Sequence, residues 1–187
     1  MKKQLLFLSV AMIAVLSGCG NSIGNEKKID STNESKQEVM DMNMNHSGSG
    51  EVPENLKVAE NPIYKVGSQA TINTDHMEGM DGAEATIVGA YDTTAFAVSY
   101  VPTTGGEKVI NHKWVIKEEL KNAGDETLEK GTKVTIEADH MEGMEGAKAE
   151  IDSAEQTTVY MIDYTPTTGG EKVTNHKWVT ESELSPN

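Results

Sequence analysis

Thr158-Val159-Tyr160-Met161-Ile162-Asp163-Tyr164 is a β-rich run, Pro166-Thr167-Thr168-Gly169-Gly170-Glu171 a Pro and Gly-Gly turn, and Lys172-Val173-Thr174-Asn175-His176-Lys177-Trp178-Val179 a second run. β-Branched and aromatic side chains fit a pleated, half-buried surface, and a glycine-rich turn of this kind joins antiparallel neighbours. Working outward, Lys133-Val134-Thr135-Ile136-Glu137 and Ala147-Lys148-Ala149-Glu150-Ile151 alternate apolar and polar with a period of two rather than 3.6. Glu181-Ser182-Glu183-Leu184 supplies a short closing turn. With 147–151 and 158–164 read as separate strands, the segment holds five short strands and no long amphipathic helix, which predicts an all-β, small antiparallel barrel.

The same segment occurs twice. Val66 to Leu120 and Lys130 to Leu184 align at a constant offset of 64 residues, with 32 of 55 positions identical. Two tandem copies follow, over 64–121 and 128–187, joined by a short polar connection. Gly131-x-x-Val134-x-Ile136, a turn, then Gly146-Ala147-x-Ala149-x-Ile151 resembles the strand-turn-strand opening of SH3-like barrels. A barrel this small buries only about 60 % of its unfolded surface. Pairing of the two copies or a bound metal would make up the stability.

The first residues read as an address. Lys2 and Lys3 precede an apolar run from Leu5 to Leu16, too short for a permanent membrane span. Leu16-Ser17-Gly18-Cys19 resembles the lipobox of bacterial lipoproteins. That resemblance implies removal of residues 1–18, acylation of Cys19 and a lipid anchor on the extracellular face of the cell membrane. Cys19 is the only cysteine, so no thiol remains for a disulfide, a thiolate metal site or a nucleophile. Residues 19–63 are rich in Asn, Ser, Glu, Lys and Gly, with no sustained period, and read as a disordered tether. The formal charge of −14 excludes nucleic acid as a partner.

Asp75-His76-Met77-Glu78-Gly79-Met80 returns letter for letter as Asp139-His140-Met141-Glu142-Gly143-Met144. An imidazole and two thioethers within five residues, with a glycine to let the backbone turn, form a donor set suited to Cu(I). His76, Met77, Met80, His140, Met141 and Met144 are therefore candidate copper ligands. Met40, Met42, Met44 and His46 repeat that chemistry in the tether, where a linker has little other use for methionine. The competing reading of Met77 and Met80 is packing, since methionine plugs irregular gaps at a barrel end.

His112 and His176 stand in identical Asn-His-Lys-Trp-Val strings and complete the histidines of each copy. They are further candidate ligands if the last strands fold back toward the first loop. In a regular strand, His112 and Trp114 share one face and Lys113 the other. Pro-Thr-Thr-Gly-Gly-Glu-Lys-Val, at 102–109 and 166–173, lacks the Lys-Ser/Thr pair and following helix of a phosphate loop and reads as a structural turn. No Ser-His-Asp order, HExxH or apolar carboxylate pair is present, so nothing in the sequence argues for an enzyme.

With the lipobox, tether and twin HMxGMxGAxAxI … YxPTTGGEKVxNHKWV in view, the sequence resembles the YdhK family of tandem-repeat lipoproteins and is similar to the copper-resistance lipoprotein CopL. The resemblance implies Cu(I) sequestration outside the membrane by the HMEGM residues, with a copper efflux pump as candidate recipient. Two readings compete with it. One is a cell-envelope module that binds wall peptide or protein, with structural methionines. The other is a Zn(II) or Cu(II) site built from His and carboxylates, in which the methionines are dispensable.

Overall fold

Two long strands organise the molecule. The computed structural model describes residues 47–124 and 128–187, and within them β3 (Glu84–Tyr100) and β6 (Lys148–Tyr164) each run for 17 residues. They lie antiparallel along nearly their whole length, from Ala85 opposite Tyr164 to Tyr100 opposite Ala149. At about 3.3 Å per residue each spans roughly 55 Å, twice what one small barrel needs.

Short strands pair to the two ends of this ribbon. β1 (Lys57–Val58) pairs with the middle of β3, and β2 (Gln69–Ile72) with its N-terminal part. β4 (Val109–Ile116) takes the C-terminal part of β3. β5 (Lys133–Thr135) and β7 (Val173–Thr180) repeat these roles on β6, and β8 (Leu184–Ser185) closes onto β2. The equivalent closure at the other end is a single bridge from Leu120 to Ile136. Single 3-10 turns at Lys117–Glu119 and Glu181–Glu183 follow β4 and β7.

The fold is thus all-β and antiparallel, as the period of two predicts, in one curled, unclosed sheet. Each end of the sheet combines the opening strands of one repeat with the closing strands of the other. One core joins Ala70, Ile72, Met80 and Ile87 to Tyr160, Ile162 and Val179. A second joins Phe96, Val98, Tyr100 and Val115 to Ile136, Met144 and Ile151. Between them Trp114 and Trp178 share a central layer with Ala95, Ala97, Val159 and Met161. Apolar side chains at about 25 cal/mol per Å² supply the main driving force, and here that area is created only when the two repeats fold together.

Two expectations need correction. Residues 147–151 and 158–164, read as separate strands, form the single strand β6. The polar stretch between them looks like a turn, but Ser153 to Thr157 stay extended because they pair with Thr93 to Ala97 of the other repeat. The stretch 47–63, assigned to the tether from composition, lies on the sheet. Gly48 N–H donates to the Thr174 carbonyl at 2.9 Å, Ala59 N–H donates to the Ala90 carbonyl at 3.0 Å, and Leu56 is buried in the central layer.

Candidate metal centre

The exchange of strands brings both HMEGM loops and both Asn-His-Lys-Trp strings to one place. A cavity of about 610 Å³ is lined by His76, Met77, His112, His140, Met141 and His176, together with Lys113 and Lys177. Each HMEGM loop is a tight turn in which Met80 N–H donates to the Met77 carbonyl at 3.2 Å, with Gly79 at φ +77°. The Pro-Thr-Thr-Gly-Gly turns have a role here. Thr167 N–H donates to the Gly79 carbonyl at 2.9 Å, and Thr103 N–H to the Gly143 carbonyl at 2.8 Å, so each repeat's turn holds the other repeat's loop. A Cβ on Gly79 would stand 2.7 Å from Thr168 Oγ1 and 2.8 Å from Pro166 Cβ, which is why the motif needs glycine.

That turn divides the methionines. Met77 and Met141 line the cavity, whereas Met80 and Met144 are fully buried in separate cores. Met80 and Met144 pack within the cores and are not among the residues lining the cavity. The regular-strand placement of His112 also needs correction, because His112 and Lys113 both line the cavity while Trp114 is buried. Alternation fails because Asn111 takes φ 53° and the β3–β4 register shifts twice, between Phe96 and Val98 and between Val98 and Tyr100. The Lys113–Trp114 and Lys177–Trp178 peptides are cis. Cys19, Met40, Met42, Met44 and His46 lie outside the described residues.

Electrostatics fix the imidazoles. His76 Nε2 is 2.7 Å from Glu183 Oε1, and His140 Nε2 is 2.7 Å from Glu119 Oε1. Burial pushes the Glu183 carboxyl up, but hydrogen bonds from His76 and the Thr180 N–H, the His76 charge and the Trp114 indole outweigh it and hold its pKa at about 2. An ionised carboxylate only accepts, so His76 Nε2 carries a proton and donates it to Glu183. Glu119 is placed likewise, accepting the Trp178 indole at 3.1 Å and the Ile116 N–H at 3.1 Å. The Nδ1 atoms of both His76 and His140 are buried with no hydrogen-bond partner, on side chains only 8 % and 6 % exposed. Burial, with the charges of His140 and His76, lowers the His112 pKa to about 4 against an opposing pull from Glu119. His112 also packs edge-on against Tyr100, and His176 against Tyr164.

A family model described as "Protein of unknown function (DUF1541)" matches residues 66–117 and 130–181. The chain belongs to the DUF1541 family. A DUF1541 relative named "Uncharacterized protein YdhK", from Bacillus subtilis (strain 168), is 59 % identical over 184 residues, covering 98 % of this chain and 89 % of the relative. A crystal structure of a DUF1541 family protein (ydhK) from Bacillus subtilis matches with a TM-score of 0.75 at 68 % identity, over 78 % of this chain and 99 % of that one. A solution NMR structure of the ydhK C-terminal domain from that organism matches with a TM-score of 0.63 at 70 % identity, over 66 % and 93 %.

Within this DUF1541 chain, sequence reasoning missed Glu119 and Glu183. Thr180-Glu181-Ser182-Glu183 has the S/T-x-x-E form of a capping box, and the Thr180 N–H does donate to Glu183 Oε2 at 3.0 Å. That signal marks a turn, not the histidine 107 positions away that the same carboxylate anchors. Among the described residues no group of three His, Cys, Asp or Glu side chains stands at metal-binding spacing.

Proposed function

We propose that this protein binds Cu(I) in the cavity shared by its two repeats and sequesters it outside the cell membrane, anchored through Cys19. The observation that carries the reading is the pair of orphaned Nδ1 atoms on His76 and His140. A buried polar atom left unpaired costs about 1–3 kcal/mol, and its retention in both copies is explained if an ion completes it. The donors fit a soft monovalent metal: two imidazoles, and the Met77 and Met141 thioethers lining the same space. Each imidazole is held through Nε2 by a carboxylate, the arrangement that orients metal-binding histidines and raises their basicity, so Nδ1 is the atom left to ligate. His112 and His176 lie in the same wall and are the next donors available. Met80 and Met144 contribute packing and not ligation. The resemblance to copper-resistance lipoproteins agrees with a stoichiometric sequestering role, in which a copper efflux pump is the natural recipient.

The test is an anaerobic competition titration of the protein with Cu(I) against a coloured chelator. Met77→Leu/Met141→Leu is compared with Met80→Leu/Met144→Leu and with His76→Gln/His140→Gln. The expected result is at least a tenfold loss of affinity for the first and third variants and none for the second. Equal affinity in all four proteins would remove the cavity as the site. Loss confined to the core pair would return the thioether role to Met80 and Met144.

A further inference from the structure

One end of the sheet carries a lysine-lined groove that the other does not. A depression of about 870 Å³ at the end of the sheet formed by β5, the N-terminal half of β6 and the C-terminal end of β3 is lined by Lys108, Lys121, Lys133, Lys148 and Glu150. All four lysines are exposed. The ammonium groups of Lys108, Lys121 and Lys133 have no hydrogen-bond or ion-pair partner among the described residues, and Lys148 donates only to the Thr135 hydroxyl at 2.6 Å. Among the described lining residues four lysines stand against one glutamate, on a chain whose formal charge is −14.

The pseudo-equivalent surface of the other end sharpens the contrast. At the offset of 64, Lys121, Lys133 and Lys148 correspond to Ser185, Gln69 and Glu84. Lys108 corresponds to Lys172, which is tied to Asp163 at 3.0 Å, and Glu84 is occupied by Gln69 and Asn187. The backbone is shared by the two ends, so the lysines are not a requirement of the fold. Register places them together: Lys133 sits opposite Glu150 and Thr135 opposite Lys148, so this outer face carries both β-strand lysines side by side.

We infer that this groove binds a linear phosphate-bearing polyanion. Lysine ammoniums are compact point charges suited to phosphate oxygens, and a row of them fits a chain of phosphates better than a single carboxylate. The exposed lining offers no aromatic platform for stacking bases, so phosphate is the feature read. Repulsion from remote acids is screened beyond about 8–10 Å at moderate salt, so the local charge of the groove governs approach. The copper cavity has a different lining and is not needed for this binding.

The metal-free protein is titrated calorimetrically with long-chain sodium polyphosphate, with inorganic phosphate and with vesicles of phosphatidylglycerol in phosphatidylcholine. Saturable binding to polyphosphate is expected, weakened about fifty-fold between 50 and 200 mM salt if four contacts each release a counterion as on a single strand. Lys121→Gln/Lys133→Gln/Lys148→Gln is expected to lose at least tenfold, while Lys57→Gln/Lys65→Gln/Lys172→Gln, with the same change in net charge, is expected to lose under threefold. An equal loss in both variants, the absence of polyphosphate binding, or binding to vesicles alone would overturn the inference.

Discussion

Replacing Glu183 by glutamine isolates the anchor of the first imidazole. Its Oε1 accepts from His76 Nε2 at 2.7 Å and Thr74 Oγ1 at 3.3 Å, and its Oε2 from Trp114 Nε1 at 2.8 Å and the Thr180 N–H at 3.0 Å. An amide has one accepting oxygen, so whichever way it turns, two of these donors meet an NH₂ group. Hydrogen bonds to a charged acceptor contribute about 1.5–3 kcal/mol each, and part of that is retained at the remaining oxygen. An independent figure comes from ionisation. Lowering a carboxyl from 4.5 to about 2 corresponds to roughly 3 kcal/mol, or about 2 after solvent screening. The sign is that of a depressed acid: the contribution is complete above pH 4.5 and is lost as pH falls through about 2. Urea unfolding of the metal-free protein, followed by tryptophan fluorescence, should show E183Q less stable by about 2–3 kcal/mol at pH 7. The two stability curves should converge as pH falls from 4.5 toward 2. Stabilities within about 0.5 kcal/mol at pH 7, or parallel acid limbs, would refute the reasoning. As a positioning residue, Glu183 should also lower Cu(I) affinity by about 10–100-fold when changed.

Other consequences can be checked with single substitutions. Gly79→Ala meets both a positive φ and the Thr168–Pro166 turn, whereas Gly82→Ala meets only a positive φ with open space around it. Thermal unfolding should place the Gly82 variant about 1–2 kcal/mol below the parent and the Gly79 variant lower still. Met80→Ala empties a fully buried position and should cost about 2–5 kcal/mol in urea unfolding, with Met77→Ala costing under about 1. In the metal-free protein His112 should remain neutral down to about pH 4, observed as an imidazole NMR titration. Because that pKa lies below the unfolded value of 6.5, His112 subtracts stability as pH falls from 6.5 toward 4.

Strand character was legible because alternation at Lys133–Ile136 and the β-branched run at Thr158–Tyr164 leave no helical face. The repeat itself was legible by direct alignment. Partner choice was not: Ala85 would alternate identically whether it faced its own repeat or, as it does, Tyr164 of the other. The 17-residue length of β3 was the available hint, since Glu84–Tyr100 contains no proline to end it. Around the site, histidines and methionines stood out by chemistry, but spacing within Asp75–Met80 could not separate Met77 in the cavity from Met80 in the core. The Gly79 turn makes that division. Glu119 and Glu183 were hidden because their histidines come from the other repeat.

The most direct measurement is a long-range ¹H–¹⁵N correlation spectrum of the imidazoles before and after addition of diamagnetic Cu(I). In the metal-free protein His76 and His140 should both carry a proton on Nε2, directed at Glu183 and Glu119. On adding Cu(I), both Nδ1 resonances should shift together while the Nε2 protons stay in place. Loss of the Nε2 protons on adding Cu(I), or Nδ1 resonances that do not move with Cu(I), would contradict a copper site built on these two atoms.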